Sequence, residues 1–201
     1  TTNIGETDSV YTVMSVDMET GDISDELSFV GSRDTTTYMS EDTMYVAYNV
    51  VDFNVNDVID IVLEMENMSS DDAVTTKLRE LESLDVSDEA KLTELQHVLE
   101  QHGYDDRAFT QRLQQRITTH IEENRRDIFT SQLVSLDVSN GDITPGETGS
   151  VPGTPLNQFS LDEHDGELRV ATTVTPDNQQ ASKNDVYVLN NALEITGSVQ
   201  G

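Results

Sequence analysis

Cysteine and tryptophan are absent from this 201-residue chain, lysine occurs only at Lys77, Lys91 and Lys183, and no apolar run is long enough to cross a bilayer. Without cysteine there is neither a disulfide frame nor a thiolate metal site. The opening Thr-Thr-Asn-Ile-Gly-Glu-Thr-Asp-Ser lacks both an initiating methionine and the layout of a signal peptide. The chain is therefore expected to begin inside a longer protein from which any targeting segment has been removed. Lys and Arg total 11 against 39 Asp and Glu, a net charge of -28. Such a polyanion repels phosphate and gains nothing from counterion release, which excludes nucleic acid as a partner. Gly-x-Ser-x-Gly, His-Glu-x-x-His and a phosphate-binding glycine loop are also missing.

The acid excess does not signal disorder. Disordered acidic tracts are poor in apolar residues and come in blocks, whereas here 35% of residues are hydrophobic and the carboxylates are spread through periodic segments. Adaptation to molar salt explains the charge: a Debye length of roughly 3 Å at 1 M screens the self-repulsion, and an acidic surface keeps the protein soluble. A binder of divalent cations or cationic polymers would instead show local carboxylate clusters, and few are present.

What the chain does have is a repeat. Residues 9–31 and 131–153 carry one pattern displaced by about 120 positions, so that Ser15, Asp17, Gly21, Asp22 and Ile23 correspond to Ser135, Asp137, Gly141, Asp142 and Ile143. A shorter third copy occupies residues 184–201. Each is an alternating apolar strand, a polar turn, and a second strand closing on glycine. Strands are predicted for Val10 to Asp17, Ile23 to Val30, Thr36 to Ser40 and Met44 to Val51. The period then becomes helical from about Asn56 to Thr130. Val58, Ile59, Val62 and Met65 form a first stripe, and Val74, Leu78 and Leu81 a second after a Ser69-Ser70-Asp71 cap. Leu92, Leu95, Val98 and Leu99 follow a Ser87 cap and stop at Gly103. The fourth stripe is Phe109, Leu113, Ile117, His120 and Ile121. Period two returns from Ser131, with strands predicted at Asn157 to Leu161, Leu168 to Val174, Val186 to Leu189 and Leu193 to Val199.

Residues 154–201 make a unit of 48, and residues 32–153 less the helical 56–130 make one of 47, both within the roughly 40 to 50 residues of a four-stranded propeller blade. The expected fold is α+β, with antiparallel propeller-type blades, about two and a half of them, over 1–55 and 131–201. A helical insertion at 56–130 separates the second and third strands of one blade.

The run Val151-Pro152-Gly153-Thr154-Pro155-Leu156-Asn157-Gln158-Phe159-Ser160-Leu161-Asp162-Glu163, with Asp165-Gly166, Leu168-Arg169-Val170-Ala171-Thr172-Thr173, Asp185-Val186-Tyr187-Val188-Leu189 and Gly197-Ser198-Val199, resembles secreted archaeal and bacterial proteins whose C-terminal β-propeller is distantly related to WD40 repeats. Thr37 to Ser40 and Met44 to Tyr48 fit the preceding blade. The resemblance implies a propeller fragment on the exterior of a haloarchaeon and carries no catalytic residues. Trp-Asp and Gly-His are absent, so no WD40 partner rule transfers.

The candidate chemistry is sparse. Asp52 to Asp57 opens like a calcium loop, but Asp57 and Leu63 stand where an EF-hand needs Gly and Glu, so Asn54, Asn56 or Asp57 is read as a helix cap. The Asp17 to Asp22 and Asp137 to Asp142 segments read as hairpin turns. Asp162, Glu163, His164, Asp165 and Glu167 form the densest set of metal-ligand types, in what is first of all a hairpin loop. His97 and His102 are five apart rather than four, and His120, within a helix beside Ile117 and Ile121, is read as a residue at the boundary of the apolar face. Arg125 and Arg126 are expected to pair with nearby acids at i,i+4 spacing, and the amphipathic helices could offer a groove to a partner. The expected function is a non-enzymatic extracellular interaction or scaffold module with a protein or glycan ligand and no cofactor. A propeller hydrolase using loop carboxylates and a calcium-stabilised structural domain are the alternatives. Exposed sheet edges are expected to pair copies into a homo-oligomer.

Salt tests the reading of the charge. At 0.01 M the Debye length grows to roughly 30 Å, and carboxylates such as Glu80 and Glu82, Asp88 and Glu89, and Glu122 and Glu123 repel one another on short helices that depend on tertiary packing. Far-UV circular dichroism is predicted to lose helical signal on dialysis to low salt, before or together with strand signal. A melting temperature unchanged between about 0.01 M and 1 M contradicts the halophile reading.

Overall fold

A computed structural model describes residues 9–32, 35–65, 73–104, 106–174 and 182–201. The chain divides into two compact units: residues up to Asp52 together with Arg125 to Gly201, and Phe53 to Asn124. All strand pairs in the first unit are antiparallel. The first sheet is a hairpin of β1 (Ser9–Val16) and β2 (Ile23–Gly31). The second, in order β3 (Thr35–Met39), β4 (Thr43–Val51), β5 (Phe129–Asp137) and β6 (Thr144–Pro152), is a meander whose central pair is separated in sequence by the helices. The third has β9 (Glu167–Val174) flanked on one side by β7 (Thr154–Pro155) and β8 (Leu161–His164). On its other side lie β10 (Lys183–Leu189) and β11 (Ile195–Gln200).

Alternation decides how these sheets meet, because successive side chains of a strand point to opposite faces. Val46 points one way from β4, while Tyr45 and Ala47 point the other. Val46, Leu136 and Ile143 form a cluster with Val13, Leu27 and Phe29 of the hairpin. Tyr45, Ala47, Leu133 and Val151 form another with Leu161, Leu168, Val170, Tyr187, Leu189 and Leu193 of the third sheet. The second sheet is thus covered on both faces. Burying a Leu or Val contributes about 1.5–3 kcal/mol each, so most of the unit's apolar stabilisation lies in these two seams.

The last sheet differs from the sequence expectation in two places. Asn157 to Ser160, expected as strand, is not one: Asn157 Oδ1 accepts from the Phe159 amide at 2.9 Å and Ser160 Oγ accepts from the Asn157 amide at 3.4 Å, a capping box around a short 3-10 turn. These side-chain bonds compete with the ladder, and the strand resumes only at Leu161. Leu193 likewise lies in a turn, at φ 55°, because Asn190 Oδ1 accepts from the amides of Ala192 and Glu194 at 3.0 Å each. β11 therefore starts at Ile195.

The second unit contains α1 (Val55–Met65), α2 (Ala73–Glu82), α3 (Asp88–Gln101) and α4 (Arg107–Glu123). Their core is Val55, Ile59, Val62, Leu63, Val74, Leu78, Leu81, Leu95, Val98, Leu99 and Phe109. Ser87 caps α3 through the Ala90 amide and Asp106 caps α4 through the Phe109 amide. The Ser69-Ser70-Asp71 cap lies outside the described residues. On α3 Leu92 is exposed and Lys91 is buried in its place. Lys91 Nζ donates to Asn56 Oδ1 at 3.1 Å and to the Glu82 carbonyl at 2.9 Å, which offsets the cost of burying an ammonium group. On α4 only Phe109 is fully buried, with Leu113, Ile117, His120 and Ile121 half-buried. The short α5 (Arg125–Ile128) lies inside the span expected to be helical and leads into β5, which starts at Phe129 rather than at Ser131.

One close approach fixes the spacing of the second and third sheets. A methyl group at Gly149 of β6 would overlap the carbonyl oxygen and Cβ of Leu193. At Gly197 the nearest heavy atom, Val188 Cβ, would be 4.0 Å away. Gly149→Ala is expected to lower stability by about 1–3 kcal/mol, as overpacking does, while Gly197→Ala is tolerated. Equal melting temperatures for the two variants contradict this packing.

Candidate functional site

The acidic corner is built by β8, β9 and the turn between them. Asp165 at φ 53° and Gly166 at φ 76° are both left-handed, the arrangement a two-residue hairpin requires. Because β8 alternates, its side chains separate. Asp162 faces Arg169 across the ladder, its Oδ2 3.5 Å from Nη1. Glu163 turns between the sheets, where its Oε2 accepts from the Tyr45 hydroxyl at 2.9 Å and its amide donates to the Tyr38 hydroxyl at 3.1 Å. The Tyr38 and Tyr45 rings stack at 6.1 Å. Burial first, then the Glu163 carboxylate, pushes the Tyr45 hydroxyl well above the ordinary tyrosine range. His164 Nε2 lies 3.3 Å from Asp165 Oδ2 in solvent, and Glu167 is exposed opposite His164. The five candidate ligands are therefore not brought together, and among the described residues no three His, Asp or Glu side chains converge on a common point.

The other sequence candidates serve local structure. Asp17 Oδ1 accepts from the amides of Glu19 and Thr20 at 2.7 and 3.0 Å, and Asp137 Oδ1 accepts from the amide and hydroxyl of Ser139. These bonds favour the charged form and lower both pKa values. Asp57 Oδ2 accepts from the Asn54 amide and Asn54 Oδ1 from the Asn56 amide, starting α1. His97 bonds Gln101, His102 caps α3, and His120 lies against Phe53.

The most specific polar cluster was not singled out from sequence. Asp185 of β10 is 1% exposed. Arg126 of α5 reaches it with both prongs, Nε to Oδ2 at 2.8 Å and Nη2 to Oδ1 at 3.0 Å. Tyr187 donates its hydroxyl at 2.9 Å and Gly201 its amide at 3.1 Å, while Arg126 Nη2 also donates to the Gly201 carbonyl at 3.0 Å. Arg126 thus pairs with an acid 59 positions away instead of with its neighbours, because bidentate geometry and burial make that bond stronger than an exposed helical pair. Arg126 first, with Gly201 and Tyr187, holds the Asp185 carboxyl below the ordinary range against the opposing effect of burial. Burial and then Asp185 push Tyr187 up to about 12. One signal was legible: Asp185 is in phase with the inward-facing Tyr187 and Leu189, and a charge on a buried face needs a partner.

The beta propeller domain model matches residues 3–201. This chain belongs to the beta-propeller domain family. It is 34% identical over 200 residues to an uncharacterised protein of Archaeoglobus fulgidus, covering 96% of this chain and 31% of that protein. It is 26% identical over 205 residues to an uncharacterised protein of Methanocaldococcus jannaschii, covering 96% and 32%. The chain thus spans about a third of the length of these relatives. No solved structure matches it.

The Arg126–Asp185 pair makes stability depend on pH in a defined direction. The folded pKa of Asp185 is depressed, so its contribution is fully present above the ordinary carboxylate value of about 3.9 and is lost as pH falls through the folded value. Asp185→Asn is expected to cost about 3–5 kcal/mol near neutrality, the range for a buried pair broken on one side. Chemical denaturation of both proteins should show that gap closing in acid, and a gap that stays constant argues against the pair as its source.

Proposed function

We propose that this propeller-family chain is a rigid, non-enzymatic segment that serves as an extracellular interaction or scaffold surface for a protein or glycan in a halophilic archaeon. In this reading its three sheets are about two and a half blades, and residues 56–130 are an insertion between two strands of one blade. The observation that carries the reading is the use made of the perturbed titratable groups. Tyr45 with Glu163 joins the second and third sheets, and Asp185 with Arg126 and Tyr187 ties α5 to β10, so both sets of groups are engaged in packing contacts. A reaction site would place such groups around a pocket open to substrate. The extracellular setting is supported by the likeness of the 151–163 run to secreted proteins, and the halophilic one by the net charge of -28.

Titration calorimetry of the full chain with calcium and with zinc in molar salt, beside a screen of surface glycans and envelope proteins, tests the proposal. A glycan or protein ligand and no tight metal site are expected. A sub-micromolar metal site lost in Asp165→Ala, or a hydrolytic activity lost in Glu163→Gln, overturns it.

A further inference from the structure

Acids make up 39 of the 201 residues, and the longest stretch without one is residues 107–121. It coincides with α4 up to the last two residues of that helix and holds three of the eleven Lys and Arg: Arg107, Arg112 and Arg116. A chain with a net charge of -28 thus contains one helix whose first part is positively charged. From Arg107 to Arg116 only Phe109 is buried and Leu113 half-buried. The three arginines and Gln111, Gln114 and Gln115 are exposed.

Folding does not account for this placement. The positive end of the helix dipole favours acids in the first turn and disfavours cations, yet α4 has Arg107 there and no acid, while Glu122 and Glu123 stand at its negative end. Arg112 and Arg116 are four positions apart, a spacing at which like charges repel. Arg79 of α2 shows the ordinary arrangement, held between Asp60 and Glu82 at 2.7 and 2.6 Å. Arg116 approaches Glu64 only to 3.8 Å. Arg112 lies over the buried ring of Phe109, its Cζ 5.9 Å from the centroid, which gives the guanidinium a fixed support. A guanidinium carries five N–H donors and a carboxylate takes two of them in its fork, so contacts within the molecule do not exhaust these side chains.

We propose that the Arg107 to Arg116 face of α4 docks an acidic helical segment of a partner protein, with Arg112 and Arg116 each taking a carboxylate. Charge complementarity selects an anionic partner, and spacing selects a helix. Side chains four apart on a helix have Cβ atoms about 5–6 Å apart, so the two arginines match Asp or Glu residues four apart on the partner. The acidic remainder of the surface repels such a segment and confines it to this face. Molar salt screens that repulsion beyond roughly 3 Å, whereas arginine and carboxylate close to about 2.7–2.9 Å. The interaction reading, on which this rests, thereby acquires a place and a partner.

Fluorescence anisotropy of the 201-residue chain in molar NaCl tests it, with a labelled helical peptide carrying Glu at every fourth position and the same peptide carrying Gln there. The Glu peptide should bind about tenfold or more tightly than the Gln peptide. Arg112→Gln and Arg116→Gln should each weaken binding about tenfold, as loss of one charge-assisted bond does. Arg112→Lys should also weaken it, because an ammonium group keeps the charge and lacks the fork. Arg79→Gln changes the net charge equally and should leave affinity unchanged. Circular dichroism checks folding, and Arg116→Gln, which leaves the Phe109 contact intact, carries the test if Arg112→Gln does not fold. Three results overturn the proposal: equal affinity for the two peptides; a loss in Arg79→Gln as large as in Arg116→Gln, which reduces the effect to net charge; and a polyuronate that binds these arginines more tightly than the Glu peptide, which assigns the face to a glycan. These results strike the α4 site alone, whereas the interaction reading fails when the screen of glycans and envelope proteins yields no ligand.

Discussion

A β-sheet that is apolar on both faces is stable in water only when both are covered, and that constraint organises the sheet unit of this protein. The second sheet meets it within the chain, with Val46 and Leu136 beneath the hairpin and Leu133 and Val151 beneath the third sheet. Antiparallel sheets commonly keep one solvated, polar face. Here the alternation sorts apolar residues to two opposite neighbours.

Hydrophobic contact alone does not set the spacing or angle of stacked sheets, since it is non-directional. Directed bonds supply that information. Asp25 Oδ2 accepts from the Ile143 amide at 2.7 Å, joining the first and second sheets. Tyr45 and Glu163 join the second and third, and Arg126 holds Asp185 at the start of β10. Each such acid is withdrawn from the solvated carboxylates that make the surface so negative. The same residue type thus has two roles, keeping the surface hydrated where it is exposed and fixing register where it is buried and bonded.

The local part of this architecture was legible in the sequence. Period two marked β1, β2, β4 and β9; Ser87 announced the start of α3; Asp165-Gly166 announced a hairpin turn. Partner choice across long separations was not. Tyr45 and Glu163 are 118 positions apart and Arg126 and Asp185 59, and no local pattern encodes which acid a given arginine will reach. Asn157 to Leu161 read as a strand because Phe159 and Leu161 alternate, yet the side chains of Asn157 and Ser160 satisfy the backbone in a turn and leave Phe159 86% exposed. Lys91 displaced Leu92 from the core of α3 because two oxygen acceptors were waiting for its ammonium group. In the acidic corner the residue types of a metal site were present, but strand alternation sent neighbouring side chains to opposite faces.

The central claim is that the doubly covered second sheet is the stability centre of its unit. Native-state hydrogen exchange in molar salt measures this directly, since amides in the most stable core open only on global unfolding. The amides of Val46, Leu133 and Leu136 that lie in ladder bonds should exchange slowest, with those of β1 and β11, each covered on one face, opening earlier at lower free energy. Equal protection across the three sheets, or a second sheet that exchanges before the outer ones, would contradict the account.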